Sequence, residues 1–412
     1  MITYSLAQHV NIHLQKTAQF KDVTVSVRFL NTVEHCDNTS RFFLSQLLSD
    51  RCVKYPSKLE VTQQLDQLYG ATLYGDNFFT GLAHTLEIRC TAINEKFTQE
   101  ALLEKQLQFL SSFIFEPILD DYMFFEEIKE RLILMVSSFQ DNPASYASNQ
   151  AQQQLNSLLS LKSIPSIKDI EEMTLDNLKT SYLQLIQNEK IDFLILGDVD
   201  ENQLQPLLKS YFPLTDRPDT QLPIVFACPP LATKTIIENK EVQQSHLLML
   251  YSTKTTILDP FHFPLLVGNS ILGGLPSSHL FQEIREKRSL CYSIYSSYES
   301  FDGLIKIQTA ISKENIEEVQ TLIQHQISRI QHGDFDFELL NASKKMLINS
   351  LMGLNDYQKR ILNHHYNNRL LGKDRALEDL IQAISSVSKE DIVAAFNSLH
   401  LNLVYALTQE DK

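Results

Sequence analysis

Histidine pairs are the first residues in this chain whose type and spacing could do chemistry. His9 and His13 are four residues apart in "HVNIH", which on a helix would place both imidazoles on one face and let them bind a metal. Valine and isoleucine alternate through that stretch, however, and this is typical of a strand with its histidines at the surface. His364 and His365 are adjacent, so on a helix they point about 100° apart and cannot share a metal ion. We expect neither pair to bind metal, and one of His364 and His365 to be buried and hydrogen-bonded.

Known catalytic motifs are also missing. The sequence contains no His-Glu-x-x-His, Gly-x-Ser-x-Gly, P-loop or dinucleotide-binding glycine pattern. Its five cysteines occur singly, without a Cys-x-x-Cys pair, which argues against a disulfide framework. We expect them to be reduced and partly buried. The sequence therefore offers no recognisable catalytic centre.

Bulk composition describes a large acidic globular protein. With 412 residues the chain is too long for one hydrophobic core and should divide into two or more domains. A net charge of −14 disfavours nucleic acid and anionic membrane as partners, because both are bound through clustered Lys and Arg. No apolar run approaches the ~20 residues of a membrane span, and the N-terminal residues lack the features of a signal peptide. We expect a cytoplasmic location.

The elements that must position any functional residue occur twice. Each half of the chain holds an alternating strand, a helix, a second alternating strand and another amphipathic helix. The second strands share the tripeptide Thr-Ala-Ile, at 91–93 and 309–311, which lie 218 residues apart. Each half then ends in two helices and an apolar strand, with Thr174 and Ser388 as predicted N-caps. The sequence therefore repeats one structural plan.

This repetition predicts an α+β fold built from two homologous halves. Between the halves, residues 213–235 hold five prolines and little periodicity, as expected for a linker that runs over the surface. We predict an N-terminal domain over residues 1–215, a linker over 216–235 and a C-terminal domain over 236–412.

Three segments resemble a known family. They are "ILGGLPSSHLFQEIREKRSLCYSIYSSYESFDGLIKI" in the second half, and "LDQLYGATLYGDNF" and "ERLILMVSSFQDNPASYA" in the first. Together with the duplicated plan, they resemble the insulinase/pitrilysin family of zinc metallopeptidases along essentially the whole chain. The resemblance implies that each half is a mostly antiparallel sheet with helices packed on one face.

The resemblance also locates the family's zinc helix, where the ligands are missing. Family members carry His-x-x-Glu-His, whose histidines bind zinc and whose glutamate activates the bound water. Counting back from "KYP", Phe42 and Gln46 stand at the histidine positions and Ser45 stands at the glutamate position. The third ligand, from a later helix, falls near Met135. None of these four side chains can serve its family role, so the resemblance implies zinc only in a partner subunit.

The second half still holds residues that could bind a peptide substrate. In the family, an Arg and a Tyr seven residues later reach the substrate carbonyl and oxyanion, and they match Arg285 and Tyr292 here. Alternatively, Arg285 belongs to a solvated, charged helix end. Gly273 and Gly274 either end a helix and turn, or handle substrate as a glycine-rich loop does in some inactive family subunits. Ser289 replaces the usual glycine of this motif, which puts the tight turn after it in question.

Two functions fit this pattern. The first is a catalytically inactive subunit that pairs with a homologous zinc-bearing subunit, or self-associates, and helps present peptides for processing. Family members hold peptide by strand addition, and the corresponding edge strand lies within residues 76–90. The alternative is a structural scaffold that kept the fold without any role in proteolysis. A zinc peptidase with displaced ligands is disfavoured, and the sequence leaves the substrate, the partner and the choice between homodimer and heterodimer open.

Overall fold

The computed structural model describes residues 1–373 and 375–409. Its strands, in chain order, are β1 (Ile2–Ala7), β2 (Val10–Lys16), β3 (Asp22–Thr32), β4 (Thr72–Thr80), β5 (Ala83–Ile93), β6 (Lys190–Gly197), β7 (Lys234–Asn239), β8 (Ser245–Ser252), β9 (Cys291–Glu299), β10 (Leu304–Ile311) and β11 (His400–Thr408). Its helices are α1 (Asn38–Leu47), α2 (Lys58–Gln67), α3 (Leu102–Phe115), α4 (Tyr122–Gln140), α5 (Pro143–Leu155), α6 (Ser157–Ser160), α7 (Ile167–Glu172), α8 (Leu175–Asn188), α9 (Glu201–Tyr211), α10 (His262–Asn269), α11 (Ile316–Gln331), α12 (Phe337–Met352), α13 (Gln358–Leu370), α14 (Leu377–Ser386) and α15 (Lys389–Phe396). Two π-helical segments, Ser270–Gly274 and Phe281–Lys287, follow α10.

The chain forms two compact units that do not follow chain order. Unit 1 comprises residues 1–137, 164–223 and 357–370, and unit 2 comprises the rest of the described chain. Residues 213–233, within the predicted linker region, have no regular secondary structure. Helix α13, from the second half of the sequence, therefore belongs to unit 1, and α5, from the first half, belongs to unit 2. The sequence pattern did not predict this exchange.

Unit 1 is built on a six-stranded sheet with the order β1-β2-β6-β3-β5-β4, antiparallel except for the β2–β6 pair. Alternate residues of β3, including Val25 and Val27, join a hydrophobic core with Phe113 of α3. The residues between them face the other side of the sheet, because side chains alternate along a strand. There Arg28 stacks on Tyr366 of α13, at 4.8 Å from guanidinium carbon to ring centre. Helices thus cover one face, and α13 packs on the other.

Unit 2 repeats the plan on a five-stranded sheet with the order β7-β11-β8-β10-β9, in which only β7–β11 is parallel. On one face, Met249 and Ile307 belong to a core shared with α10, α11 and α15. On the other face, Leu248 packs in a smaller cluster with Ala147 and Ala151 of α5. The predicted α+β fold of two homologous, mostly antiparallel halves is therefore confirmed. Within residues 1–373 and 375–409, no helix is both long and apolar enough to cross a membrane.

Candidate functional site

Helix α1 is held in the core of unit 1 from its first residue. The Asp37 carboxylate caps the helix by accepting hydrogen bonds from the backbone N–H groups of Thr39 and Ser40, at 3.2 and 3.0 Å. The apolar positions Phe43, Leu44 and Leu47 are buried against the sheet and the neighbouring helices. Capping and burial explain why this segment folds as a helix without any metal.

The structure shows the surroundings of the four residues that the resemblance predicts at zinc-site positions. Phe42 and Gln46 lie one turn apart on the same half-buried face of α1, where the family resemblance places its histidines. Ser45 is buried, and its hydroxyl donates to the Phe42 carbonyl at 2.9 Å, so it is already satisfied within the helix. Met135 lies on α4 and is 42% exposed. Whether Met135 lies near the other three stays a prediction.

Arg41, the one charged residue of this stretch, has a structural role. Its side chain is buried, forms an ion pair with Glu189, and donates to the backbone carbonyls of Phe29 and His84, both at 3.3 Å. It therefore ties α1 to strands β3 and β5. Because the Arg41 guanidinium donates its hydrogen bonds inside the core, it is not available to a substrate.

A close approach between α1 and the edge strand β4 fixes the position of the helix. A Cβ atom placed on Gly75 would lie 1.8 Å from the Ser45 carbonyl oxygen and 2.7 Å from the Ser49 hydroxyl. Only glycine allows this crossing. In unit 2, Gly273 has the same role from the helix side, since its Cβ would lie 2.7 Å from the backbone nitrogen of Ser296 on β9. Gly273 is thus needed for packing, whereas Gly274 is exposed and meets nothing closer than 3.4 Å.

The structure places the histidine candidates in different surroundings. Strand β2 begins at Val10 and includes His13, but our expectation that both histidines are at the surface was wrong for His13. His13 is buried, with its Nε2 3.3 Å from the Asp192 carboxylate, whereas His9 is partly exposed at the β1–β2 turn. His364 is half-buried and hydrogen-bonded to Asn368 at 3.2 Å. Among the residues that the structure describes, no group of three or more His, Cys, Asp or Glu could hold a metal ion.

A thiol and an imidazole do meet beside α1, but their protonation states oppose nucleophilic chemistry. Cys36 Sγ lies 3.3 Å from Nδ1 of His84, whose Nε2 is 3.4 Å from the Asn77 amide. Burial raises the pKa of the Cys36 thiol to about 11. Burial, together with the charge of Arg41, holds the pKa of His84 well below its ordinary value. Both groups are therefore neutral near pH 7, and a neutral thiol is a poor nucleophile.

The structure brings the two predicted recognition residues together, with Arg285 on the π-helical segment Phe281–Lys287 and Tyr292 on the edge strand β9 of unit 2. The Arg285 guanidinium lies over the rings of Phe281, at 4.3 Å, and Tyr292, at 5.5 Å. Tyr292 is 81% exposed on β9. In the described chain its hydroxyl has no hydrogen-bond partner, and Arg285 has only a long 3.7 Å ion pair with Glu286. Arg285 therefore stacks on two aromatic rings, and its role in substrate recognition stays a prediction.

The turn before Tyr292 forms although Ser289 stands at the position of the usual glycine. Ser289 has φ +53°, in the left-handed region that glycine adopts without strain. Its backbone N–H donates to the Arg285 carbonyl at 3.1 Å, and that of Leu290 donates to Ile284 at 3.0 Å. The doubt raised by the missing glycine is thus resolved in favour of the turn, at a cost in backbone strain.

The sequence analysis did not predict one group of surface residues. They lie together on the face of the six-stranded sheet opposite α1, and they are Tyr74 and Asp76 of β4, Arg89 of β5 and Lys359 of α13. Alternation in "LYGDNF" places Tyr74 and Asp76 on one face, and that signal was available. Lys359 is 283 residues from Asp76 in sequence, and no local pattern connects them.

Comparison with known proteins agrees with this fold. Residues 172–347 match the family profile described as peptidase M16 inactive domain. The chain is 28% identical over 403 residues to the probable inactive metalloprotease YmfF of Bacillus subtilis (strain 168), covering 96% of this chain and 95% of that protein. It is also 28% identical to the uncharacterized zinc protease YmxG of the same strain, over 170 residues that cover 40% of this chain and 41% of YmxG.

Solved structures extend the comparison to the whole fold. A conserved protein from Enterococcus faecalis V583 superimposes with a TM-score of 0.95 at 27% identity, over 100% of this chain and 99% of that one. The peptidase M16 inactive domain from Pseudomonas fluorescens superimposes with a TM-score of 0.80 at 18% identity, over 100% and 98%, and shows the fold alone. This chain therefore resembles the M16 inactive domain and an inactive-type relative of the insulinase-like peptidases in sequence and fold, and its sequence contains no His-x-x-Glu-His motif.

Proposed function

We propose that this chain is the non-catalytic subunit of a two-chain peptidase. It pairs with a homologous subunit that carries His-x-x-Glu-His, and it helps to hold peptide substrates for that subunit's zinc site. The observation that carries the proposal is the stacking of Arg285, from the π-helical segment, on Tyr292 of the edge strand β9. Tyr292 is 81% exposed and Arg285 is stacked on it. Because the Tyr292 hydroxyl and the Arg285 guanidinium make no hydrogen bond within the described chain, the pair adds little to stability. Tyr and Arg are also the residue types that dominate binding energy at interfaces.

Edge strands supply the second part of the argument. Both β4 in unit 1 and β9 in unit 2 are outermost, and each pairs on one side only among the described strands. Their outer backbone N–H and C=O groups are available to an extended peptide, which can add as a further strand. Peptide recognition therefore requires no catalytic residue in this chain.

The relatives support a division of labour between two chains. Bacillus subtilis (strain 168) holds both a probable inactive metalloprotease and a zinc protease that resemble this chain. In a cell that holds both proteins, the inactive chain can bind the peptide substrate while the zinc protease provides the zinc site. A scaffold function without proteolysis is the competing proposal, and it predicts that peptide turnover is indifferent to this chain.

We also propose that the protein acts in the cytoplasm. All five cysteines are free, and three of them, Cys52, Cys90 and Cys228, are buried. Free thiols persist in a reducing compartment, whereas disulfides form in oxidising ones.

The test is co-expression with a zinc-bearing homologue from the same genome, using an affinity tag on this chain only. Size-exclusion chromatography with light scattering should show a complex of defined stoichiometry. Arg285→Ala and Tyr292→Phe should leave this complex intact but lower its peptide turnover, because they remove donors that face substrate. A homologue that fails to co-purify, or a complex whose turnover ignores both substitutions, would count against the proposal.

A further inference from the structure

We propose that the surface formed by Tyr74, Arg89 and Lys359 selects peptides that carry acidic side chains. This inference rests on the proposed peptide-binding function and names its substrate class. The surface lies in unit 1 beside the outer edge of β4. It is distinct from the Arg285–Tyr292 pair of unit 2.

The cross-strand register builds this surface. Tyr74 of β4 is directly opposite Arg89 of β5, and the guanidinium carbon lies 5.1 Å from the centre of the tyrosine ring. The Lys359 ammonium of α13 lies 5.7 Å from the same ring. One aromatic ring therefore lies close to two cations, an arrangement that cation–π attraction stabilises and that holds both charges beside the strand edge.

The charges of the surface leave a positive excess. Asp76 is directly opposite Glu87, and these two carboxylates face three cations, Arg28, Arg89 and Lys359. Burial alone would raise the pKa of Glu87, but the two guanidinium groups hold it below its ordinary value, so it stays ionised. Arg28 and Glu87 are buried and neutralise each other.

The accessible side chains Lys359, Asp76 and Arg89 therefore carry one excess positive charge. Lys359 is half-exposed, with 50% of its side chain accessible, and it forms an ion pair with Asp76 at 3.4 Å. Arg89 has a 3.1 Å ion pair with Glu87 and remains 17% exposed. Against a chain of net charge −14, a cationic surface beside an open strand edge is a local reversal of sign.

Strand geometry brings a peptide's side chains to this surface. Gly75 faces α1, because its Cβ would meet the Ser45 carbonyl, so Tyr74 and Asp76 face the opposite side. A peptide paired to the outer edge of β4 sends every second side chain to that side, within about 5 Å of its neighbour on β4. An acidic side chain there meets Lys359 and Arg89, whereas a basic one meets their repulsion.

The experiment measures fluorescence anisotropy of labelled, unstructured peptides of about ten residues, the length of one strand. Three peptides differ only at alternate positions, which hold Glu, Ser or Lys. We expect the Glu peptide to bind roughly two- to fivefold tighter than the Ser peptide, and the preference to shrink as salt rises. Lys359→Glu should abolish or invert the preference, whereas Asp76→Asn, which removes an opposing charge, should strengthen it.

A matched control separates this surface from net charge. Lys168 is exposed on α7 in the same unit and, like Lys359, has one ion pair, to Glu172 at 3.6 Å. Lys168→Glu should leave the preference unchanged, while the gain from Asp76→Asn excludes simple damage to the fold. Equal binding of the three peptides, or equal effects of Lys168→Glu and Lys359→Glu, would overturn this inference and leave peptide binding intact. Failure of every peptide to bind would overturn the inference together with the peptide-holding part of the proposed function.

Discussion

Replacement of Gly75 by alanine should destabilise the protein more than the same change at Gly273 or Gly274. The added methyl carbon would lie 1.8 Å from the Ser45 carbonyl oxygen, whereas such contacts ordinarily begin at about 3.3 Å. The obstacle is helix backbone, which cannot rotate away, so α1 must move by about 1.5 Å. Three large buried side chains of α1, those of Phe43, Leu44 and Leu47, move with it.

The size of the effect follows from that displacement. A radial gap of about 1 Å forfeits a quarter to a half of the contact energy of a packed side chain, and each such side chain contributes about 2 kcal/mol on burial. The three together lose roughly 1.5–3 kcal/mol, within the range measured for overpacked cores. We therefore expect Gly75→Ala to lower the free energy of unfolding by about 2 kcal/mol.

Two other glycines calibrate this prediction. Gly273→Ala should cost less, because its Cβ would lie 2.7 Å from the nearest atoms of Ser296, and Gly274→Ala should cost nothing, because its nearest contact is 3.4 Å. Urea denaturation followed by circular dichroism measures all three, since the chain has no tryptophan to report by fluorescence. A Gly75→Ala protein within about 0.5 kcal/mol of wild type, or a Gly274→Ala protein equally destabilised, would refute the packing argument.

Three further predictions concern the turn, the zinc position and pH. Ser289→Gly should raise the free energy of unfolding by about 1 kcal/mol in urea denaturation, because it relieves a left-handed serine; no gain would contradict the strain. Phe42→His combined with Gln46→His should bind about one zinc ion in elemental analysis, because two imidazoles then lie one turn apart. Stoichiometric zinc in the wild type, or none in the variant, would contradict the placement of the helix. Burial, with the charge of Arg375, lowers the pKa of His262 to about 4, so the folded state resists protonation and stability present above pH ~6.5 is lost as the pH falls towards 4, by at most about 1.4 kcal/mol per unit. The urea midpoint of His262→Gln should fall less between pH 7 and pH 5 than that of wild type, and parallel curves would refute this contribution.

Local signals in the sequence were sufficient to predict most elements of the fold. The tripeptides at 91–93 and 309–311 lie at the ends of β5 and β10, which have equivalent places in the two sheets. Thr174 and Ser388 cap α8 and α15 as predicted, accepting hydrogen bonds from the third residue of each helix. These predictions succeed because alternation and capping depend on neighbours within a few residues.

The sequence did not show which elements, distant along the chain, pack against each other. The patterns of α5 and α13 specify helices but not the sheet on which each packs, and the helices cross to the unit formed mainly by the other half. The burial of His13 depends on Asp192 of β6, which is far away in sequence. Lys359 joins the surface beside β4 for the same reason, through the placement of α13.

The candidate site was predictable only as far as the family resemblance reached. Phe42, Ser45 and Gln46 were identified by counting from a motif, and the structure shows why they suffice for a packed helix. The Arg285–Tyr292 pair was predicted as two residues, but their stacking depends on the wide π-helical turn and the left-handed Ser289. Sequence patterns do not specify π-helical geometry, which is rare and set by tertiary packing.

Turnover of an unstructured peptide by separate and mixed chains tests the central claim most directly. This chain, a zinc-bearing homologue from the same genome, and their mixture are assayed at equal concentrations with zinc present. We predict no hydrolysis by this chain alone, and hydrolysis by the mixture well above that of the homologue alone. Hydrolysis by this chain alone with zinc bound, or a mixture no faster than the homologue, would contradict a non-catalytic subunit that supplies peptide recognition.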